Sequence, residues 1–304
     1  MKTNIDCIPC FFRQAIESSR LCGLSEEQQR VVVNSVAEVL PEFSLTETPI
    51  IMSKEIHLRL KDLIGVEDPY YTVKRMSNRK ALELYPSLIR RVAEADEPIL
   101  SAVKLSIAGN LIDYGARQGL DLDTDLAAIL RKEEDALAHE NPRLFQFASW
   151  KNELDELEKL SRKSAGRARL LVLGDNAGEI VFDRILLETI HRIYPGIEII
   201  YAVRGKPIIN DVMIEDAREV GIDQTARIVS SGSDAPGTLL ELCSPEFVEL
   251  FYEAEMVMSK GQGNYEAISE ENRRIWMLLT AKCPVMAGEF DAQVGDIILT
   301  CTEC

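Results

Sequence analysis

The sequence has little of what several common classes of protein need. Its three histidines, His57, His139 and His191, do not fall at metal-ligand spacings, which argues against a histidine-based zinc enzyme. There is no nucleophile elbow, no Walker loop and no complete Gly-x-Gly-x-x-Gly fingerprint. No run of about 18 apolar residues is present, so we expect no transmembrane helix and no membrane partner. The N-terminal stretch MKTNIDCIPC lacks the apolar segment of a signal peptide, and we expect a cytoplasmic protein.

Positive charge is also scarce. The chain has 34 Lys and Arg residues against 50 Asp and Glu residues, a formal net charge of −16. General nucleic-acid binding requires a basic surface that displaces counterions, so we expect no nucleic-acid partner. An anionic substrate would have to be drawn in locally, by a metal ion or by a few well-placed Lys and Arg side chains.

Cysteine occurs in an odd number, seven, which fits a disulfide framework poorly in a cytosolic protein of this size. Four of the cysteines form two Cys-x-x-Cys pairs at the ends of the chain, Cys7/Cys10 and Cys301/Cys304. If the ends meet, the four thiolates form a structural zinc or iron–sulfur site. If they do not, the pairs are exposed or redox-active. A non-catalytic protein that binds metal through cysteines is therefore one alternative function.

The pattern of apolar residues changes at about residue 166. Residues 11–165 carry helical signals, such as the N-cap Ser25 before an acidic turn and the terminating Gly65. Beyond residue 166 apolar runs alternate with helical stretches. The predicted strands are 170–173, 197–203, 226–229, 255–258, 275–280 and 296–300. This alternation predicts a three-layer α/β/α sandwich with a mainly parallel, Rossmann-like sheet over 167–304, and an all-helical N-terminal subdomain over 1–166.

The stretch LLVLGDNAGEIVFD, residues 170–183, is the centre of this prediction. An apolar strand is followed by a polar turn and a helix, which places Asp175 and Asn176 at the carboxyl end of a strand, where open α/β sheets bind ligands. Asp211 follows the next strand at an equivalent position. These residues could instead cap helices. An acid at two equivalent strand ends favours metal ligands, and oxygen donors favour Mg²⁺, Mn²⁺ or a similar divalent ion.

Other loops at the same edge supply candidate phosphate ligands. Lys260 directly follows a predicted strand and precedes Gly261, Gly263 and Asn264. This pattern resembles a lysine beside a nest of backbone N–H groups, although a solvated surface lysine fits it equally well. Arg204, after the second strand, is a further candidate.

One motif stands out in the helical half. Asn110 and Asp113 lie three residues apart and therefore on one face of a predicted helix. We expect this face to close over the edge of the sheet and to contact substrate or metal. A plain polar face with a glycine at a helix contact explains the pattern equally well.

The motifs GDNAGE, RGKPIINDV, SSGSDAPGT and KGQGNYE, with AGNLIDYG upstream, resemble the damage-control phosphatase family, long catalogued as domain of unknown function 89. The N-terminal Cys-Ile-Pro-Cys resembles its archaeal and bacterial branch. The resemblance implies an α/β/α sandwich with a helical N-terminal part. It also implies a phosphatase that uses Mg²⁺, Mn²⁺, Co²⁺ or Ni²⁺ on small phosphorylated metabolites, including sugar phosphates and damaged cofactor precursors.

By this resemblance, Asp175, Asn176 and Asp211 match the metal ligands and Lys260 matches a phosphate-contacting lysine. Asn110 and Asp113 match the family's helical motif near the site. The attacking group is then either a metal-activated water or a carboxylate such as Asp175. A carboxyl methyltransferase that uses S-adenosylmethionine is an alternative function, because the turn after the first strand also resembles a loosely kept binding turn for that cofactor. The physiological substrate and the oligomeric state are not predicted.

Overall fold

A six-stranded sheet forms the centre of the protein. The structure, a computed structural model, describes residues 1–110, 141–163 and 168–302. The strands are β1 (Arg169–Leu173), β2 (Glu198–Val203), β3 (Arg227–Ser230), β4 (Met256–Lys260), β5 (Trp276–Thr280) and β6 (Ile297–Cys301). Their order is β3-β2-β1-β4-β5-β6, with β1 to β5 parallel and β6 antiparallel to β5. The predicted mainly parallel α/β fold is confirmed.

Helices account for most of the remaining described residues. They are α1 (Cys7–Leu21), α2 (Glu26–Val39), α3 (Pro49–Ile64), α4 (Tyr71–Glu94), α5 (Pro98–Gly109), α6 (Phe147–Lys163), α7 (Glu179–Ile193), α8 (Ile214–Glu219), α9 (Pro245–Glu253), α10 (Gly261–Ile268) and α11 (Pro284–Glu289). Two of the predicted helix ends are confirmed: Ser25 forms a capping box with Gln28 before α2, and Gly65 ends α3 in the left-handed conformation. Of the helices described, none is both long and apolar enough to cross a membrane.

The sequence pattern predicts one helix that opens at Asn141-Pro142 and another over residues 239–252, and both begin later in the structure. The segment after Pro142 first runs beside the sheet, where Phe145 bridges to Leu299 of β6 and the Gln146 amide donates to the Leu299 carbonyl at 2.7 Å. Consequently α6 starts only at Phe147. The helix predicted over 239–252 is interrupted by the Ser244-Pro245 start of α9, where the Ser244 hydroxyl accepts from the Phe247 amide at 3.2 Å.

The sheet separates two hydrophobic cores, because successive side chains of a strand point to opposite faces. In β1, Leu170 and Val172 pack on one face, and Leu171 and Leu173 pack on the other. The first face is covered by α4, α5, α6 and α7, and the second by α9, α10 and α11. Helices α1, α2 and α3 enclose a third, separate core. The three-layer sandwich therefore takes one of its helical layers partly from the N-terminal half of the chain.

Contacts between the N-terminal helices and the sheet cross the subdomain boundary predicted at residue 166. Residue 166 itself lies outside the described residues. In the described part, α5 is buried from Ser101 to Gly109 against α7 and the sheet, and Trp150 of α6 is fully buried in the same core. The N-terminal half is thus joined to the sheet by a shared hydrophobic core, and the side chains that α4 and α5 direct toward the sheet edge are held rigidly.

His57 of α3 leads to a prediction about stability. Its ring is buried in the third core, and neither ring nitrogen has a hydrogen-bond partner among the described residues. Burial lowers the pKa of His57 from 6.5 to about 3. Between those two pH values the unfolded chain binds a proton that the folded chain does not, so this contribution to stability is complete above pH 6.5 and is lost as the pH falls.

We therefore expect His57→Leu to remove part of the acid sensitivity. The free energy of unfolding should fall in both proteins when the pH is lowered from 7.5 to 5.5. The fall should be about 1.4 kcal/mol larger in the wild type than in His57→Leu. Urea unfolding at the two pH values measures this difference. His191→Gln, at an exposed position, is the matched control and should behave as the wild type. Equal pH dependence of the wild type and His57→Leu would contradict the prediction.

Candidate functional site

The candidate site lies where the strand order reverses. From β1 the chain proceeds to β2 and β3 on one side and later to β4 and β5 on the other, so the loops after β1 and β4 diverge at the carboxyl edge. The first of these loops carries Asp175 and Asn176, and β4 ends at Lys260. Ligands of open α/β sheets bind at such a position.

The backbone brings the two predicted acids together. Asn176 and Asp211 form an isolated antiparallel bridge, although they follow different strands. On either side of it the Val212 amide donates to the Asp175 carbonyl and the Ala177 amide donates to the Asn210 carbonyl, each at 2.9 Å. The loops after β1 and β2 are thereby joined as a short ribbon, and the structure places Asp175, Asn176 and Asp211 side by side as the sequence predicts.

The Asp175 carboxylate is buried and accepts two amide donors. Its Oδ2 atom accepts from Asn176 Nδ2 at 2.7 Å and from Asn110 Nδ2 at 3.1 Å. Burial, together with the neighbouring carboxylate of Asp211, raises the pKa of Asp175 to about 6 against the opposing charges of Lys282 and Arg204. Because Asn176 presents its nitrogen to Asp175, its amide oxygen is directed away from that carboxylate.

Asp211 is paired with Arg204. Both side chains are almost completely buried, and Arg204 Nε donates to Asp211 Oδ2 at 2.6 Å. The other guanidinium nitrogens donate to Thr238 Oγ1 at 2.9 Å and to Asn264 Oδ1 at 3.1 Å. Burial raises the pKa of Asp211 although the charge of Arg204 opposes this. Arg204 therefore binds the Asp211 carboxylate and links it to the segments that carry Thr238 and Asn264. Its described hydrogen bonds are made to protein groups, so it is not an exposed cation that could receive a substrate anion.

Lys260 lies deeper than the sequence suggests. Its Nζ atom is fully buried and donates to Asp183 Oδ1 at 2.6 Å, to Glu179 Oε1 at 2.8 Å and to the Ser106 carbonyl at 2.9 Å. An ammonium group has three protons, so these acceptors use all of them. Burial opposes its charge, but Asp183 and Glu179 raise the pKa of Lys260 overall. A contact with phosphate would require one of these bonds to break.

The residues after Lys260 make close contacts with neighbouring loops, and they do not form an exposed nest of backbone N–H groups for a phosphate. Gly261 has φ +77°, and a Cβ atom there would lie 1.8 Å from Asp175 Oδ2. Gly263 approaches the Pro236 carbonyl so closely that a Cβ atom would lie 2.5 Å from its oxygen. Asn264 accepts from the Thr238 amide at 2.8 Å and donates to the Lys260 carbonyl at 2.8 Å. These positions are occupied by residues that permit close contact between loops.

A similar contact joins the loops after β2 and β3. A Cβ atom on Gly205 would lie 2.4 Å from the carbonyl carbon of Gly232. Glycine is required at Gly232 for a second reason, since its φ is +80°. The backbones of these two loops therefore touch directly.

Two acids of the site, Glu179 and Asp183 of α7, are buried and are not among the residues predicted from the sequence. Glu179 accepts from Asn110 Nδ2 at 2.5 Å, and Asp183 accepts from Tyr201 OH and from Ser106 Oγ, each at 2.7 Å. Burial raises the pKa of Glu179 to about 7 although Lys260 opposes the shift. Glu179 and Asp183 are four residues apart and lie on the face of α7 that carries its apolar residues. This position in the sequence pattern indicates that both acids are buried.

Buried carboxyl groups therefore outnumber buried cationic side chains at the described part of the site. Among the described residues, the buried carboxyl groups that meet at this edge are those of Asp175, Glu179, Asp183 and Asp211, and the buried cations that contact them are Arg204 and Lys260. With every carboxylate ionised, two negative charges are in excess, which one divalent cation would neutralise. In the described part of the chain, no three His, Cys, Asp or Glu side chains are arranged to hold a metal ion. A metal at this edge would thus depend on the Asn176 amide oxygen together with the two aspartates.

Of the predicted helical motif, Asn110 is in the site and Asp113 lies outside the described residues. Asn110 follows α5 and joins Asp175 to Glu179 through its Nδ2 atom. The side chain thus contacts two site carboxylates, one of which is a predicted metal ligand.

The described cysteines at the two chain ends do not come together as a joint four-thiolate site requires. Burial raises the pKa of Cys7 and of Cys10, and the nearby thiol of Cys283 raises both further. Cys283 follows the carboxyl end of β5, whereas Cys301 pairs with the first residue of that strand. Cys301 therefore lies at the opposite end of the sheet, and Cys304 lies outside the described residues.

Comparison with known proteins identifies the family. The family model for the damage-control phosphatase ARMT1-like domain matches residues 3–298. A damage-control phosphatase of Archaeoglobus fulgidus is 30% identical, with all of both chains covered. A damage-control phosphatase of Pyrococcus horikoshii is 30% identical over 98% of this chain and 97% of its own.

Structural comparison agrees with the sequence comparison. The crystal structure of a DUF89 family protein from Pyrococcus horikoshii superposes with a TM-score of 0.84 at 28% identity, covering both chains completely. The resemblance noted in the motifs therefore extends over the whole fold. The chain belongs to the damage-control phosphatase family.

Proposed function

We propose that this chain is a cytoplasmic, divalent-metal-dependent phosphatase that hydrolyses phosphate monoesters of small metabolites, such as sugar phosphates or damaged phospho-metabolites. The observation that carries the proposal is the convergence of Asp175, Asn176 and Asp211 at the switch point of the sheet, where buried carboxyl groups outnumber the buried cations that contact them. The names of the relatives support phosphatase activity. The metal requirement, the cellular location and the residue roles are our inferences.

The donor set suits a hard cation. Two carboxylates and an amide oxygen are ligands that Mg²⁺ and Mn²⁺ accept, and Co²⁺ or Ni²⁺ are alternatives. When bound, such an ion supplies charge neutralisation for the phosphate oxygens and lowers the pKa of a bound water. The chain's own groups fix the carboxylates: Asn110 holds Asp175, and Arg204 holds Asp211. This orientation by neighbouring hydrogen bonds is typical of metal ligands in proteins.

Of the cations in the part of the chain that the structure describes, Lys282 is the best placed to receive a phosphate. It is exposed, two residues after β5, and its charge opposes the burial that raises the pKa of both Asp175 and Glu179. Arg204 and Lys260 are buried and already bonded to carboxylates. We therefore assign phosphate capture to Lys282, and to Lys260 the positioning of Glu179 and Asp183. This role for Lys260 replaces the phosphate contact expected from the sequence.

The two alternative functions have less support. A methyltransferase does not need the second acid, Asp211, that the backbone ribbon places beside Asp175. A protein that only binds metal through its terminal cysteines would need Cys301 near Cys7, whereas Cys301 lies at the far end of β5. The arrangement of the edge therefore favours the phosphatase.

Asp175→Asn and Asp211→Asn test the metal site. Each variant should bind Mn²⁺ at least about tenfold more weakly by calorimetry, because a charged ligand is lost. Each should also release phosphate from sugar phosphates at least about 100-fold more slowly, equivalent to about 3 kcal/mol of transition-state stabilisation.

Asp223→Asn, at an exposed position in the same half, is the matched control and should retain wild-type values. Full metal-dependent activity in either site variant would refute the assignment. Binding of S-adenosylmethionine by a wild type that binds no Mn²⁺ would favour the methyltransferase.

Lys282→Ala tests phosphate capture. An exposed cation contributes about 0.5–1 kcal/mol, so we expect KM for a sugar phosphate to rise about two- to fivefold, with a smaller change in kcat. The effect should shrink at high salt because the charge is screened. Lys159→Ala removes an exposed lysine of α6 and is the control. An unchanged KM in Lys282→Ala would show that another group receives the phosphate.

Gly261→Ala tests the contact between the loops after β1 and β4. The new methyl group would clash with Asp175 Oδ2, and the residue would keep a positive φ. We expect the free energy of unfolding to fall by about 1–3 kcal/mol and Mn²⁺ affinity to fall with it. Gly288→Ala in α11, where a Cβ atom meets nothing within 4 Å, is the control and should be neutral or slightly stabilising. Normal Mn²⁺ binding by Gly261→Ala would contradict the described geometry.

A further inference from the structure

Asn78 of α4 contacts the metal loop from the helical half, and neither the motifs nor the proposed chemistry has used it. The side chain is fully buried, and its Oδ1 atom accepts the Gly178 amide at 2.7 Å. Gly178 lies two residues after Asn176 and has φ +87°, which turns the chain into α7. The oxygen of Asn78 thus supports the loop that carries Asp175.

The other half of this amide has no described partner. Asn78 Nδ2 is buried and donates to no acceptor in residues 1–110, 141–163 and 168–302. The orientation of the amide is fixed, because the Gly178 N–H can only donate and the oxygen must face it. A buried donor without an acceptor destabilises the folded protein. A structure that retains such a group at a functional edge points to an acceptor supplied by a ligand.

The neighbouring carboxylates do not need this donor. Asp175 already accepts from Asn110 and Asn176, and Glu179 already accepts from Asn110 and Lys260. The Asn78 amide group lies next to Gly178, at the start of the 15-residue helix α7, where the helix dipole favours an anion. An oxygen anion carried by the substrate is the acceptor that suits both features.

Lys74 keeps this side chain in place. One helical turn before Asn78, Lys74 Nζ binds Asp216 Oδ2 at 3.0 Å and Asp68 Oδ2 at 2.9 Å, all in buried or nearly buried positions. Asp216 in turn accepts the Met213 amide at 2.9 Å, two residues after Asp211. Helix α4 is therefore anchored to both loops of the metal site, which presents the Asn78 amide to the site in a fixed position.

We propose that Asn78 Nδ2 donates a hydrogen bond to a phosphate oxygen of the substrate, so that the helical half takes a direct part in phosphate recognition. The inference rests on the proposed function, and it assigns Asn78 a contact with the ligand beyond its support of the Gly178 turn.

The variants Asn78→Asp and Asn78→Leu separate the two roles. Asn78→Asp keeps an oxygen for the Gly178 amide but loses the donor, whereas Asn78→Leu loses both. We expect both variants to melt below the wild type, because Asn78→Leu leaves the Gly178 amide without an acceptor and Asn78→Asp buries a further carboxyl group. Phosphate binding is therefore measured at a temperature where both variants are folded. With Mg²⁺ present, both variants should bind inorganic phosphate about tenfold or more weakly, as measured by calorimetry. Asn34→Asp, on the exposed face of α2, controls for added charge and should bind phosphate normally.

Nuclear magnetic resonance of wild-type protein labelled with ¹⁵N-asparagine distinguishes a direct contact from repulsion by the new carboxylate. The side-chain NH₂ resonance of Asn78, assigned by its absence in Asn78→Asp, should shift as phosphate saturates the Mg²⁺-loaded protein. An unmoved resonance at saturation, or wild-type phosphate affinity in Asn78→Asp, would overturn this inference and leave the proposed function standing. A wild type that binds neither Mg²⁺ nor phosphate would overturn both.

Discussion

Electrostatic repulsion between buried carboxylates is the constraint around which the site is organised. Asp175 and Asp211 are nearly excluded from solvent and lie on adjacent, directly paired loops, an arrangement that is unfavourable without compensation. Each carboxylate is therefore supplied with its own donors, which are amides for Asp175 and a guanidinium for Asp211. The remaining negative charge is what would make a divalent cation bind strongly.

Both halves of the chain contribute these compensating groups. Arg204 and Lys260 come from the sheet, whereas Asn110 and the Ser106 carbonyl come from α5. The hydrophobic core shared by α4, α5, α6 and the sheet holds the helical groups against the edge with the rigidity of a protein interior. The helical half is consequently part of the site rather than an attached cover.

The sequence predicts the architecture well, because buried parallel strands are marked by apolar runs and their carboxyl ends must share an edge. The shared edge is sufficient to predict that Asp175 lies beside Asp211. The sequence pattern does not show which way a side chain points. It therefore predicts a phosphate contact for Lys260, whose side chain is instead buried against Glu179 and Asp183. Nor could it distinguish Glu179 and Asp183 from ordinary acids on a helix, because their burial depends on α5, which is distant in sequence.

The direct backbone contact between Gly205 and Gly232 has an evolutionary consequence. A side chain at Gly205 would displace the loop that carries Gly232, and a side chain at Gly232 would displace Ser244 at the start of α9. Gly263 is confined in the same way by Pro236. The strand side of the candidate site therefore has little freedom to change its shape by substitution. Divergence of substrate preference among related proteins would then have to arise mainly in the helical half, while the loops after the strands stay constant.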